Sequence, residues 1–337
     1  MPTVRRRRGL IAAALVLVVA LAATGPGGSA GAAAAGPARR TATTAGTSEP
    51  RYHVPRAAMK AALHCPASFT SERQPVLLVH GTFTHGQEND GWNSLPELTG
   101  RGFDVCYVDL PNRSLDDIQL ASEYVVFAIR KMHRLSGGRR IDVLGHSQGG
   151  LEPRWALRWW PSLRPKVSDL VTLATPNHGT ALGDFAGASC AACFQMGQGS
   201  AFLAALNSGD ETPGAVEYTN LYTTLLDELV VPATSAATAG ATNIAVQDVC
   251  PLRPVDHVSI AADRVVLALV LDAFTHRGTA SVGRLPAPAT LCTQQPVLFP
   301  SDPAAGLGVL TGALTDPHVP TASLVTEEPA LRRYTTR

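Results

Sequence analysis

The chain has 337 residues, of which 45% are hydrophobic, ample for one large α/β core or at most two domains. Its formal net charge is +1, with 28 basic residues against 27 acidic ones, and nothing in that balance points to nucleic acid as a partner.

The first segment reads as a targeting signal. Arg5 to Arg8 form a basic end, and Leu10 to Ala23 form an apolar stretch too short to span a membrane comfortably. Small residues follow, with cleavage-compatible positions near Ala30 and Ala35, so residues 1–35 are expected to be a secretory signal peptide. Without them 24 basic residues face 27 acidic ones, and the balance turns slightly negative. The next stretch, 36–60, opens on Ala, Thr, Gly and Pro and is expected to be a flexible leader. Residues 61–295 are expected to form the folded body. Six cysteines in an exported chain imply an oxidising compartment and disulfides. Six allow fifteen full pairings, and spacing alone does not choose among them. Cys190 and Cys193 form C-x-x-C without a second pair at zinc-ribbon spacing and without a thioredoxin context, so they read as a small local disulfide, and no metal site is expected.

The body opens on Pro75-Val76-Leu77-Leu78-Val79-His80, a nearly all-apolar run ended by Gly81. Such a run fits a strand buried on both faces of a parallel sheet. Phe103 to Asp109 predicts the next strand, closed by Pro111. From Asp116 to Leu135, Ile118, Ala121, Val125, Ile129 and Met132 recur every three or four positions, which predicts an amphipathic helix ended at Gly137-Gly138. Ile141 to Leu144 predicts a third strand, followed by Gly145-His146-Ser147-Gln148-Gly149 and by a helical pattern through Trp155 to Trp160. Val167 to Ala174 predicts a fourth strand, Val216 to Tyr222 a fifth and Asn243 to Gln247 a sixth. Strands alternating with helices predict a mostly parallel, doubly wound sheet with helices on both faces. Thr175 to Ala215 is rich in Gly, Ala and Ser, loses this rhythm, and reads as a cap or a surface excursion. A helix is expected over Ser259 to Phe274, and 296–337 is expected to be a C-terminal extension, partly disordered, held at Cys292 with a loose end.

The chemistry centres on G-x-S-x-G between a strand and a helix, a nucleophile elbow. Such a turn strains the serine backbone and needs small residues two places before and after it, here Gly145 and Gly149. It holds Ser147 Oγ clear of the sheet and aims the N–H of Gln148 at a developing oxyanion. The loop after the first strand, His80 to Gly86, is where a second oxyanion donor belongs, and Thr82 is the residue expected there. A serine hydroxyl needs a base, and the base an orienting acid, in the chain order Ser, acid, His. That leaves His178, His257, His276 and His318 as candidates. His178 precedes any further strand, His276 follows a helix end and His318 lies in the extension, whereas His257 follows the last strand and precedes a helix. Asp227, in a loop after a strand, is the expected acid ahead of its neighbour Glu228 and of Asp248 and Asp256.

Several motifs in this order resemble the lipase B family of secreted α/β-hydrolase lipases, found in fungi and in actinobacterial relatives. They are Pro75 to Thr82, Ser147 to Gly150, Trp160 to Val167, Thr219 to Tyr222 with Asp227-Glu228, and Cys250 with Asp256-His257, and the likeness spans roughly 65 to 295. The resemblance implies an α/β-hydrolase fold, Ser147, Asp227 and His257 as catalytic residues, and Thr82 and Gln148 as the oxyanion hole. It implies disulfides Cys65–Cys106 and Cys250–Cys292, leaving Cys190–Cys193 as an addition of this chain. Where the fungal type has Trp before the nucleophile, lining the alcohol side of the pocket, this chain has His146, which makes that residue a pocket candidate. His80 stands where that type has Pro, and a short insertion lies around Thr223 to Leu226.

The expected activity is hydrolysis of carboxylic esters, triacylglycerol or shorter, through an acyl-enzyme, with no cofactor. The expected partner is a lipid or ester substrate at a lipid–water interface, met by a secreted monomer with no stable membrane span. The alternatives are another serine acyl enzyme, a polyester depolymerase or acyltransferase, and a non-catalytic lipid-binding protein on the same scaffold.

Overall fold

Apolar runs bounded by turn residues become the strands of a seven-stranded sheet. The computed structural model describes residues 49–181, 190–294 and 325–336. The strands are β1 (Leu63–His64), β2 (Val76–Val79), β3 (Val105–Val108), β4 (Ile141–His146), β5 (Val167–Leu173), β6 (Glu217–Tyr222) and β7 (Thr242–Ala245), in the order β1-β3-β2-β4-β5-β6-β7. All pairings are parallel except that of β1 with β3. Every residue of β2, β4 and β5 is buried, as a sheet covered on both faces requires.

Alternate residues serve opposite faces. Leu77, Val79 and Val143 pack under the helices Ile118–Leu135 and Leu151–Trp159. Val76, Leu78 and Leu144 pack against the helices Ser94–Gly100 and Arg264–Thr275. The long helix starts where the Asp117 side chain accepts the N–H of Gln119, and its expected apolar face, Ile118 to Met132, is buried. The helix expected from Ser259 breaks into a short 3-10 turn, Ser259–Ala262, and the helix proper. The break has a cause: Asp263 takes an extended conformation so that its carboxylate can accept the N–H groups of Val265 and Val266. Likewise β7 stops at Ala245, because Asp248 accepts the Ala245 N–H and starts a single helical turn, Val246–Val249.

Two boundaries differ from expectation. The leader does not run to residue 60. Glu49 accepts the N–H of Ser162, the Pro50 carbonyl accepts Trp160 Nε1–H, and Arg56–Ala61 is a helix that buries Met59. The far end of the chain, expected to be loose, returns to the core. Tyr334 accepts Trp155 Nε1–H at 3.0 Å and contacts the rings of Trp159 and Trp160. Arg332 pairs with Asp117 at 2.9 Å, and Glu328 accepts the first N–H groups of the helix Ala201–Leu206. In the excursion after β5, the described part folds as that helix and as Ala191–Met196. The expected signal peptide, residues 36–48 of the leader and His318 lie outside the described residues.

Disulfides join Cys65 to Cys106, Cys190 to Cys193 and Cys250 to Cys292. In the chain-entropy view, each of the two long loops, 41 and 42 residues apart in sequence, contributes about 4 kcal/mol. Among the described residues no helix is long and apolar enough to cross a membrane.

Because β2, β4, β6 and β7 run parallel, the loops that follow them leave at one edge of the sheet. The candidate site is built there.

Candidate active site

The elbow depends on two close approaches. A Cβ at Gly145 would lie 2.3 Å from the Gly149 carbonyl oxygen, and one at Gly149 would lie 2.1 Å from that of Val79. Strand, turn and helix therefore meet only with glycine at both places. Between them Ser147 sits at φ 55°, a left-handed conformation that a serine holds only under constraint. Its carbonyl accepts the Thr175 hydroxyl at 2.8 Å, which ties the strained turn to the end of β5.

Ser147 Oγ lies 2.8 Å from His257 Nε2, and His257 Nδ1 lies 3.0 Å from Asp227 Oδ1. The carboxylate only accepts from a histidine, so Nδ1 carries the hydrogen and Nε2 is left to accept the serine proton. Burial pushes the Asp227 carboxyl up. The hydrogen bond and charge of His257, with the N–H groups of Val230 and Leu229 on Oδ1, outweigh it and hold the group below the usual carboxylate value. Its neighbour Glu228 has a different job: Oε2 accepts the main-chain N–H of His257 at 3.1 Å.

The competing groups lie elsewhere. Asp256 turns back on its own turn and accepts the N–H groups of Val258 and Ser259. Asp248 caps its local turn. His178 faces Glu211 at 3.3 Å and His276 faces Asp272 at 3.3 Å.

Gly81 brings the loop after β2 against the nucleophile, since a Cβ there would stand 3.0 Å from Ser147 Cβ. The next residue, Thr82, donates its hydroxyl to Gln148 Oε1 at 2.7 Å, and Gln148 Nε2 donates to Glu152 Oε1 at 2.9 Å. The side chains of the two expected oxyanion residues thus hold each other, with Glu152 behind them. Glu152 is wholly buried, its second oxygen has no partner, and burial pushes its carboxyl up to about 8, toward the neutral acid.

The same loop is braced from below. Phe83 has φ 67°, and its N–H donates to the Arg113 carbonyl while Arg113 Nε donates to the Phe83 carbonyl, both at 2.8 Å. Asn112, Arg113 and Ser114 also have positive φ, so strained backbone lies on both sides of this contact, about 1–3 kcal/mol per residue. His80 is fully buried. Its Nε2 accepts the Leu110 N–H, so Nδ1 donates to the Gly81 carbonyl, and burial lowers its pKa to about 4. His146 is buried too, with Nε2 2.9 Å from the His257 carbonyl and Nδ1 3.0 Å from the Asn89 amide.

Sequence reasoning named Ser147, Asp227, His257, Thr82, Gln148 and His146. It missed Glu152, Asn89 and Arg113. Glu152 had one available signal, a carboxylate on the first turn of the elbow helix one turn from Gln148. Asn89 and Arg113 had none. Among the described residues no group of three or more His, Cys, Asp or Glu is placed to hold a metal ion.

Residues 76–331 match the model of the alpha/beta hydrolase family. The chain is 35% identical over 221 residues to Lipase B of Pseudozyma antarctica, an alignment that covers 62% of this chain and 64% of that one. It is 28% identical over 123 residues to a triacylglycerol lipase of Pseudarthrobacter phenanthrenivorans, covering 35% of this chain and 38% of that one. The crystal structure of Aspergillus fumigatus lipase B superposes with a TM-score of 0.76 at 30% identity, covering 85% of this chain and 73% of that one. The chain thus spans less than two thirds of the length of either sequence relative.

Proposed function

The chain belongs to the alpha/beta hydrolase family, in its lipase B-like branch, and on that premise we propose that it is a secreted serine hydrolase of carboxylic esters. The observation that carries the reading is the run Ser147 Oγ, His257 Nε2, His257 Nδ1, Asp227 Oδ1 at 2.8 and 3.0 Å. In this mechanism Ser147 Oγ attacks the ester carbonyl as its proton passes to His257 Nε2. The N–H groups of Thr82 and Gln148 receive the oxyanion, each such donor being typically worth about 3 kcal/mol of barrier. The tetrahedral species collapses, the C–O bond to the alcohol breaks, and the imidazolium returns its proton to the leaving oxygen. Water then attacks the acyl-Ser147 ester, gives its proton to His257, and releases the acid and the serine.

The Thr82 hydroxyl adds a third donor only by turning away from Gln148 Oε1, which it holds at rest. The route uses no metal or organic cofactor. Triacylglycerol and shorter esters with apolar acyl chains are the proposed substrates, in keeping with the triacylglycerol lipases among the relatives. Export through residues 1–35 fits the three disulfides.

The test is initial hydrolysis rates on p-nitrophenyl esters from acetyl to palmitoyl, with Ser147→Ala in parallel. Activity rising toward long chains and falling by roughly 10⁶ in the variant supports a lipase. Activity confined to short chains makes it an esterase with the same triad. Wild-type and variant proteins of equal, trace activity on every chain would end the proposal.

A further inference from the structure

His146 precedes Ser147 in the chain, and its ring reaches the other partner of the reaction. Nε2 lies 2.9 Å from the main-chain carbonyl oxygen of His257. A carbonyl only accepts, so Nε2 carries the hydrogen. Burial drives the ring neutral, its pKa lowered to about 4, which leaves Nδ1 bare and in need of a donor. The group facing Nδ1 at 3.0 Å is the Asn89 side-chain amide, whose Nδ2 is buried without a partner when its oxygen points at the histidine. Turning that amide end for end satisfies Nδ2 and Nδ1 together, at the expense of a long 3.4 Å contact from the Gly81 N–H. Asn89 is itself fixed: its N–H donates to the His85 carbonyl and its carbonyl accepts Asn93 Nδ2.

The consequence for His257 is that all four of its polar groups are engaged. Its N–H donates to Glu228, its carbonyl accepts His146, Nδ1 donates to Asp227 and Nε2 accepts Ser147. Two of these links close a ring. From Ser147 Oγ the path runs through the His257 imidazole to its carbonyl, across to His146 Nε2, and back to Ser147 through one peptide bond. The base cannot drift from the nucleophile without breaking this ring.

We propose that His146 is a positioning residue, whose Nε2–H on the His257 carbonyl fixes the imidazole at hydrogen-bond distance from Ser147. This rests on the reading of Ser147 and His257 as nucleophile and base. It differs from a pocket wall, the role suggested by the tryptophan of the fungal type, because it acts on the rate of bond making and not on recognition of the alcohol.

The test compares wild type with His146→Leu, which removes the donor, and His146→Gln, whose amide N–H reaches a similar point. Each is assayed for kcat and KM on butyrate esters of several alcohols, for the rate of Ser147 phosphonylation by a fluorophosphonate, and for melting temperature. The expected result for His146→Leu is a loss of kcat of about 10–100-fold with KM little changed, and an equal slowing of phosphonylation, the scale of a small misplacement of catalytic groups. His146→Gln should recover most of that loss, and the ranking of alcohols should not move. If His146→Leu does not fold, His146→Asn, too short to reach the carbonyl, takes its place. Unchanged kcat with an altered alcohol ranking would overturn the proposal in favour of a pocket wall. Equal losses in His146→Leu and His146→Gln would reduce it to packing. Both results leave the parent reading intact, whereas a wild type with no serine-dependent activity removes both.

Discussion

Two carboxyl groups sit within the same site, one on the loop after β6 and one on the first turn of the elbow helix, and they end in opposite states. The Asp227 side chain is about 1% exposed and Glu152 is wholly buried, so desolvation presses both toward the neutral acid. What separates them is the hydrogens and the neighbouring charge each is offered. Asp227 receives those of His257, Val230 and Leu229 and stays ionised. Glu152 receives those of Gln148 and of its own main-chain N–H and no counter-charge, and burial pushes its carboxyl up to about 8. Burial alone therefore does not decide which acid serves a histidine. The hydrogen bond and charge of His257, joined by the N–H groups of the turn after Asp227, do.

The strongest way to break this contrast is Asp227→Asn, which keeps the shape and removes the charge. Turnover should fall by roughly 10⁴ while the fold persists, as measured by ester hydrolysis and circular dichroism. Glu152→Gln sharpens it from the other side. A group that is already neutral loses little on becoming an amide, so hydrolysis at pH 7 should stay within a few-fold of wild type. Melting temperature should rise, and rise more at pH 8.5 than at pH 5.

A third effect, on stability and not on turnover, is spread over several groups. Asp90 and Asp169 are pushed up to about 7 by burial, and Asp142 well above its ordinary value by burial and by the charge of Asp169. With Glu152 they hold more protons folded than unfolded. Stability should therefore decline as pH rises above the ordinary carboxyl value near 4, until Asp90 and Asp169 titrate at about 7 and Glu152 at about 8. Asp227 works in the other direction. Its contribution is present above the ordinary aspartate value and is lost as pH falls through its lowered one. Thermal melts from about pH 2.5 to 9 check both arms: the melting temperature should be highest near about pH 4 to 5, where Asp227 is still ionised and the raised groups have not yet begun to cost stability. A maximum at pH 8 or above would contradict the protonated state of the four groups.

The parts legible in the sequence are those with a local signal. β2 and β4 were visible as apolar runs, the helix Ile118–Leu135 as a period, and the elbow as two glycines around a serine. Asp227 and His257 were reachable because chain order and element type narrow the choice. What escaped depends on contacts far apart in sequence. The two residues of β1 carry no period and exist by pairing with β3. Tyr334 looked like part of a loose end because its partners, Trp155 and Trp160, lie well over a hundred residues away. Asn89 gave no sign of its place, since only the packing of its helix against β2 and β3 sets its amide beside His146. His146 itself was noticed for the tryptophan it replaces, and its bond to the His257 carbonyl was not foreseeable from its position.

The most direct test of the central claim is the reaction of the protein with a fluorophosphonate probe, followed by mapping of the adduct by mass spectrometry. One adduct per chain on Ser147, forming several orders of magnitude more slowly in His257→Ala, is the result expected of a serine activated by that base. No adduct, or an adduct on another residue with Ser147 unmodified, would contradict it.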